Sequence, residues 1–131
     1  MTNALILDIS NKSLLINNIK SGKQRWEFPG GKLDGWKTLV ECVIGELKEE
    51  LNIDIKLLDI VGNYKTQTPE GEFLCRTYFS DIIKGSPKIM EPGKHDEFDY
   101  FDYKGLLKLK DQKVLVPNLV RALPELKKYI I

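Results

Sequence analysis

The chain is poor in the residues from which many metal and redox centres are built: one histidine, His95, and two cysteines, Cys42 and Cys75, among 131 residues. With no Cys-x-x-Cys pair and a single imidazole, a structural zinc site of four nitrogen and sulfur ligands is excluded. The cysteines fall in segments patterned as core, one helical and one extended, as expected of reduced, buried thiols in a cytoplasmic protein. No apolar run approaches the roughly 18 residues needed to cross a bilayer. The opening apolar stretch, residues 4–9, is short and carries Asp8, unlike a secretory leader. An excess of one charge is also missing: 20 Lys+Arg against 19 Asp+Glu leave a formal net charge of +1. Binders of nucleic-acid polymers or membrane surfaces usually carry a clear basic excess, so neither partner is expected. An anionic ligand must then be held by a few local charges or by a metal. Repeats, low-complexity tracts and linkers are absent, and the length suits one domain, residues 1–131, around a single core.

What is present is a series of short β-rich runs and two helical patterns. Residues 4–9 and 13–18 are apolar runs joined by Ser10-Asn11-Lys12 and predict a hairpin. Residues 24–28 form a third strand, ended by Pro29-Gly30-Gly31. Further strands are expected at 55–61, 73–83 and 97–101. Over 38–51 the apolar residues have helical spacing: Leu39, Val43 and Leu47 make one row, with Val40, Ile44 and Leu51 beside it. Thr38 followed by Glu41 is a capping box, and Asn52 tolerates the left-handed conformation that helix ends often need. A short helix is expected near 104–107, and a last one from about Pro117, well suited to a first turn, to Lys128. The class is α+β, a mixed sheet with helices packed on it.

The helix over 38–51 carries Glu46, Glu49 and Glu50, which fall within an arc of roughly 100° beside the apolar stripe. Carboxylates crowded next to a buried face repel one another, and only Lys48 interrupts them. A hard cation such as Mg²⁺ or Mn²⁺ removes that repulsion and keeps waters for substrate and nucleophile. A charged, solvated helix face is the plainer reading of the same residues. The preceding Phe28-Pro29-Gly30-Gly31-Lys32 shifts the balance. Its glycines let backbone approach a ligand closely, a carbonyl there can complete a metal shell, and Lys32 can meet a phosphate oxygen. It is not a P-loop, which needs Gly-Lys-Ser/Thr.

Residues 26–32, Trp26-Glu27-Phe28-Pro29-Gly30-Gly31-Lys32, and residues 46–53, Glu46-Leu47-Lys48-Glu49-Glu50-Leu51-Asn52-Ile53, together resemble the Nudix box of MutT-type hydrolases. That motif reads G-x5-E-x7-R-E-U-x-E-E-x-G-U, with U aliphatic, and starts here at Gly31. Three positions depart from it: Lys37 replaces its first Glu, Gly45 its Arg and Asn52 its Gly. In the family that Glu and Arg brace the loop against the helix. Losing both leaves no stranded charge, although Gly45 weakens a helix interior by about 1 kcal/mol relative to Ala. Lys37 is expected to pair with Asp34 or Glu41 instead.

The resemblance implies a Nudix fold, with a mixed β-sheet sandwiched between α-helices (α/β/α). It implies Mg²⁺ (or Mn²⁺) bound by Glu46, Glu49 and Glu50 with the Gly31 carbonyl, and a water attacking phosphorus. The base would be Glu46 or a residue of a distant loop. Residues 91–98, Glu91-Pro92-Gly93-Lys94-His95-Asp96-Glu97-Phe98, resemble the E-P-x-K-x-x-E-W segment of nucleoside-triphosphate-cleaving members. They make Glu97 that candidate, with Asp96 behind it and His95 a loop residue. Glu46, Glu49 and Glu97 are thus the expected catalytic set.

The implied substrate is a (deoxy)nucleoside triphosphate, cleaved to monophosphate and pyrophosphate. Arg25, Lys32 and Arg76 are candidates for its phosphates, Phe28, Tyr64 and Tyr78 for flanking a base, and Asn118 for reading a purine edge. The alternatives are a nucleotide-sugar or dinucleoside polyphosphate hydrolase, or a catalytically weak domain that binds nucleotide. The only expected partner is the small-molecule nucleotide, and the assembly is expected to be a monomer or homodimer.

Overall fold

The computed structural model describes every residue except 34, 69 and 70, and every side chain except those of 66–70 and 34. Two strands organise it. β1 (Thr2–Ile6) and β2 (Ser13–Asn18) are buried almost throughout, and their alternating side chains serve two different cores. Leu5 and Leu15 face one cluster, whereas Ala4, Ile6, Leu14 and Ile16 face the other. A strand covered on both faces reads as an unbroken apolar run, which is how residues 4–7 and 14–16 appear. The expected single core is therefore two layers, one on each side of the β-structure.

The remaining elements are β3 (Trp26–Glu27), β4 (Gly30–Gly31), α1 (Leu39–Leu51), β5 (Asp54–Thr68), β6 (Gly71–Lys84), β7 (His95–Phe101), α2 (Tyr103–Asp111) and α3 (Pro117–Leu126). One sheet runs β4-β1-β6-β5 and the other β3-β2-β7. β1 is parallel to β6 and antiparallel to β4, so the first sheet is mixed. α1 closes one core with Val43, Leu47 and Leu51. α2 and α3 close the other, with Leu106, Leu109, Leu119, Leu123 and Leu126. The result is the expected α/β/α arrangement. Among the described residues no helix is long and apolar enough to cross a membrane.

The expected hairpin of β1 and β2 survives only at its tip. Asp8 accepts N–H bonds from Ser10 and Lys12, each 2.9 Å, Asn11 takes a φ of 58°, and Leu7 bridges to Ser13. Beyond that point the strands join different sheets. Turn chemistry is local, whereas partner choice is decided by distant contacts such as the buried Thr77 hydroxyl donating to Asn3 at 2.6 Å. β5 runs well past the expected 55–61, to Thr68, whereas β6 keeps close to the expected 73–83. α2 starts where Asp102 caps it, accepting from the Gly105 N–H at 2.7 Å, and runs on to Asp111, past the expected 104–107.

α1 is bounded as its sequence requires. Thr38 accepts from the Glu41 N–H at 3.1 Å and its own N–H donates to the Glu41 carboxylate at 3.0 Å. At the other end Asn52 adopts φ 57°, ψ 38°, and its N–H bonds to the Lys48 carbonyl at 3.0 Å. Thr38→Ala is expected to lower the unfolding free energy by about 1 kcal/mol in urea titration. An unchanged midpoint would show that tertiary packing alone holds the helix start.

Candidate active site

A cleft of about 780 Å³ opens where α1, β4, the segment before β7 and the start of α3 converge. Glu46, Glu49 and Glu50 line it together, because positions three and four apart share one helix face. Opposite them run Gly30 and Gly31. A Cβ at Gly31 would lie 2.5 Å from the Glu46 carboxyl carbon, and one at Gly30 would fall onto the Thr2 carbonyl and Asn3. At Gly30 the obstacle is β1 backbone, so no side chain fits there, whereas at Gly31 a Cβ would displace the end of the Glu46 side chain from its place. The Gly30 N–H donates to one Glu50 oxygen at 3.2 Å.

Burial makes this cluster electrostatically costly. Glu50 is 3% exposed. Burial first, then the Glu27 and Glu46 carboxylates, push its pKa up to about 9 against one stabilising N–H from Gly30. Glu46 is raised by burial and then by Glu49. Glu27 is raised by burial, which outweighs the Asn18 amide donating to it at 2.8 Å and the nearby Arg25. The protonated Glu50 donates to Glu46. His95 is buried beside them, its Nε2 3.5 Å from the other Glu50 oxygen and its Nδ1 without a protein partner. Burial also lowers the His95 pKa, favouring the neutral ring.

Protons relieve the repulsion in this arrangement, and a hard cation would relieve it equally well. Carboxylate oxygens beside a glycine carbonyl are a donor set of the kind Mg²⁺ and Mn²⁺ take, so the residues fit such an ion. Among the described residues no three of the His, Cys, Asp and Glu side chains already close on one point.

Cations rim the acidic floor: Lys20, Arg25, Lys32 and Lys94 all border the cleft. Lys94 pairs with Glu91 at 2.9 Å, and Lys32 lies 5.8 Å from the Phe73 ring centre. At the far end Asn118, buried in the first turn of α3, donates to the Cys75 sulfur at 3.4 Å near Phe28. Burial raises that thiol to about 11. The structure thus gathers Arg25, Phe28, Gly31, Lys32, Glu46, Glu49, Glu50 and Asn118 around one cleft.

It does not bring in Arg76 or Glu97. The Arg76 guanidinium donates to Asn63 at 2.9 Å on an exposed sheet surface. Glu97 is exposed, for an identifiable reason. Asn18 pairs with His95 and Asn17 with Glu97, so Asp96 is an extra residue, a bulge that reverses the alternation. His95 turns into the cleft and Glu97 away from it, and Asp96 accepts from the Asn17 amide at 2.9 Å. Tyr64 and Tyr78 belong to the cores rather than the cleft.

Lys20, Glu27, Glu91, Lys94 and His95 also line the cleft, although the sequence pattern assigns them no role there. Glu27 was signalled by its place between two core aromatics, Trp26 and Phe28, and Glu91 and Lys94 by their spacing of three. The motif departures lie at the surface. A Cβ at Gly45 meets nothing within 4 Å. Lys37 is exposed and helps hold the Glu41 pKa down, after the dominant Thr38 hydrogen bonds. The expected alternative partner, Asp34, lies outside the described residues.

The raised Glu50 pKa ties stability to pH. Between the ordinary 4.5 and about 9 the folded chain keeps a proton that the unfolded chain has released. Where the folded state binds more protons, stability falls as pH rises. His95, lowered on folding, has the opposite effect, confined to pH values below about 6.5. In chelator the thermal midpoint is expected to fall between pH 7 and about 9, and Glu50→Gln to flatten that fall. A wild-type midpoint that holds steady across this window contradicts the buried, proton-holding carboxylate.

Comparison with known proteins agrees with this geometry. Residues 2–122 match the family model described as the NUDIX domain. An ADP-ribose pyrophosphatase of Methanocaldococcus jannaschii is 30% identical over 120 residues, 88% of this chain and 70% of that protein. A putative 8-oxo-dGTP diphosphatase of Bacillus subtilis is 34% identical over 100 residues, 76% of this chain but 51% of the relative, about half its length. Among solved structures, a MutT NUDIX hydrolase from Burkholderia pseudomallei aligns with a TM-score of 0.82 at 22% identity, covering 95% of this chain and 94% of that one. A MutT protein from Methanosarcina mazei aligns at 0.81 and 20% identity, covering 97% and 91%. The glycine turn, the helix of glutamates and the layered fold that holds them together are those of one family, and this chain belongs to it: it is a Nudix hydrolase.

Proposed function

We propose that the chain hydrolyses a diphosphate linkage of a nucleotide with the help of Mg²⁺ or Mn²⁺, and that its substrate is a (deoxy)nucleoside triphosphate cleaved to monophosphate and pyrophosphate. One observation carries this reading: Glu46, Glu49 and Glu50 face the Gly30–Gly31 backbone on the floor of a cleft whose rim is Lys20, Arg25, Lys32 and Lys94. Acidic groups at the centre with cations around them suit a metal-bridged polyphosphate. A bound divalent ion supplies charge stabilisation for the phosphates and a more acidic water.

Glu46, Glu49 and Glu50 would hold that ion with the Gly31 carbonyl. Glu46, whose pKa burial moves toward neutrality, is placed to take the proton of the attacking water. Arg25 and Lys32 would orient the phosphates, Phe28 would cover the sugar or base, and Asn118 would offer its amide to the base edge. This reading assigns no role to Glu97, which is exposed and outside the cleft lining.

A second reading, hydrolysis of a nucleoside-diphosphate sugar, draws support from the long match to an ADP-ribose pyrophosphatase. Chromatographic identification of the products from a panel of triphosphates, nucleotide sugars and dinucleoside polyphosphates separates the two. Pyrophosphate from triphosphates, abolished by chelator, is the expected result. Nucleoside monophosphate and sugar phosphate formed only from sugar-linked diphosphates would favour the second reading, and binding with no product from any compound would make this a non-hydrolytic nucleotide binder. Glu50→Gln should abolish turnover with its circular dichroism spectrum preserved, and retained turnover would remove Glu50 from the site. Gly45→Arg alone should leave kcat/KM close to wild type, because Lys37 offers the new cation no carboxylate. A large gain from that single change contradicts the pairing of the two departures.

A further inference from the structure

The segment that leads into His95 is fastened to the helix that carries Glu50. The Met90 N–H donates to the Glu50 carbonyl at 3.2 Å and the Lys88 N–H to the Leu51 carbonyl at 3.0 Å. The His95 N–H in turn donates to the Glu91 carbonyl at 3.0 Å, and His95 pairs with Asn18 in the second sheet. The imidazole, 4% exposed, is therefore held in register with Glu50 from both sides.

Glu50 has two carboxylate oxygens, and each faces a nitrogen from a different element. Oε1 accepts from Gly30 of β4 at 3.2 Å, and Oε2 lies 3.5 Å from His95 Nε2. The Nδ1 atom is buried with no hydrogen-bond partner in the protein. A histidine kept only for packing would normally have its buried nitrogens satisfied. Among the described residues, Glu50 is the acidic side chain paired with the ring. Lys20, Glu91 and Lys94 act on it only through their fields.

We infer that His95 is a positioning residue: through Nε2–H it fixes the orientation of the Glu50 carboxylate, and so sets how tightly the α1 carboxylates hold a divalent cation. This rests on the reading of Glu50 as a ligand. The bulge at Asp96 is then the device that aims His95 rather than Glu97 at the cluster. Ligand-orienting partners of this kind are worth about 10- to 100-fold in metal affinity.

The test is Mn²⁺ binding without substrate, by titration calorimetry or by the paramagnetic resonance signal of free Mn²⁺, with thermal midpoints measured alongside. His95→Ala is expected to weaken Mn²⁺ binding about 10- to 100-fold. His95→Gln, which keeps an N–H donor, is expected to restore a substantial part of that loss. Glu50→Gln serves as the control for ligation. If Glu50→Gln binds Mn²⁺ as wild type does, the ligand reading is wrong and the role of His95 falls with it. If Glu50→Gln weakens binding and His95→Ala does not, the ligand reading stands and the positioning role is overturned. Equal loss in His95→Ala and His95→Gln, in step with lowered midpoints, would reduce His95 to packing and also overturn it.

Discussion

Burial of the Glu50 carboxylate against the Gly30 N–H is the interaction on which the rest of the site depends. An acid at that depth is costly, and the chain tolerates it because a backbone donor, a neighbouring carboxylate and an imidazole surround it. Each neighbour comes from a different element, β4, α1 and the start of β7. The two-core construction makes this meeting possible. β1 and β2 present apolar side chains to both faces, which sets α1 against the β-structure on one side and α2 and α3 on the other. With β1 fixed, only glycine fits at position 30, and a side chain at position 31 would push Glu46 aside.

The near-neutral net charge conceals a strong local division. The cleft has a floor of carboxylates and a rim of lysines and one arginine, two potentials that cancel in the sum and not in space. Folding stability and chemistry pull in opposite directions at such a place. Raised pKa values at Glu27, Glu46 and Glu50 are the cost of keeping acids where a cation is wanted, and a cation recovers that cost when it binds.

Much of this was legible in the sequence, and the reasons are specific. The start and end of α1 are encoded by groups within four residues of one another, Thr38 with Glu41 and Asn52 with Lys48. The clustering of Glu46, Glu49 and Glu50 follows from helical periodicity alone, and two successive glycines before an acidic helix mark a close approach. Placements that depend on pairing register were not legible. A single extra residue, Asp96, exchanges the orientations of His95 and Glu97, and nothing local in Lys94-His95-Asp96-Glu97 announces it. Arg76 sits on a strand whose long partner decides which face meets solvent. The β1–β2 turn is written in Asp8 and Asn11, yet the separation of the two strands into different sheets is not.

The central claim is that the α1 carboxylates and the glycine turn form one site for a divalent cation. The most direct test is a crystal grown with Mn²⁺ and measured at an energy where manganese scatters anomalously. The account predicts a strong anomalous peak among Glu46, Glu49, Glu50 and the Gly31 carbonyl, with the Glu46–Glu50 hydrogen bond broken. A fully soaked crystal that keeps that hydrogen bond and shows no peak there, or shows one only elsewhere on the surface, would contradict it.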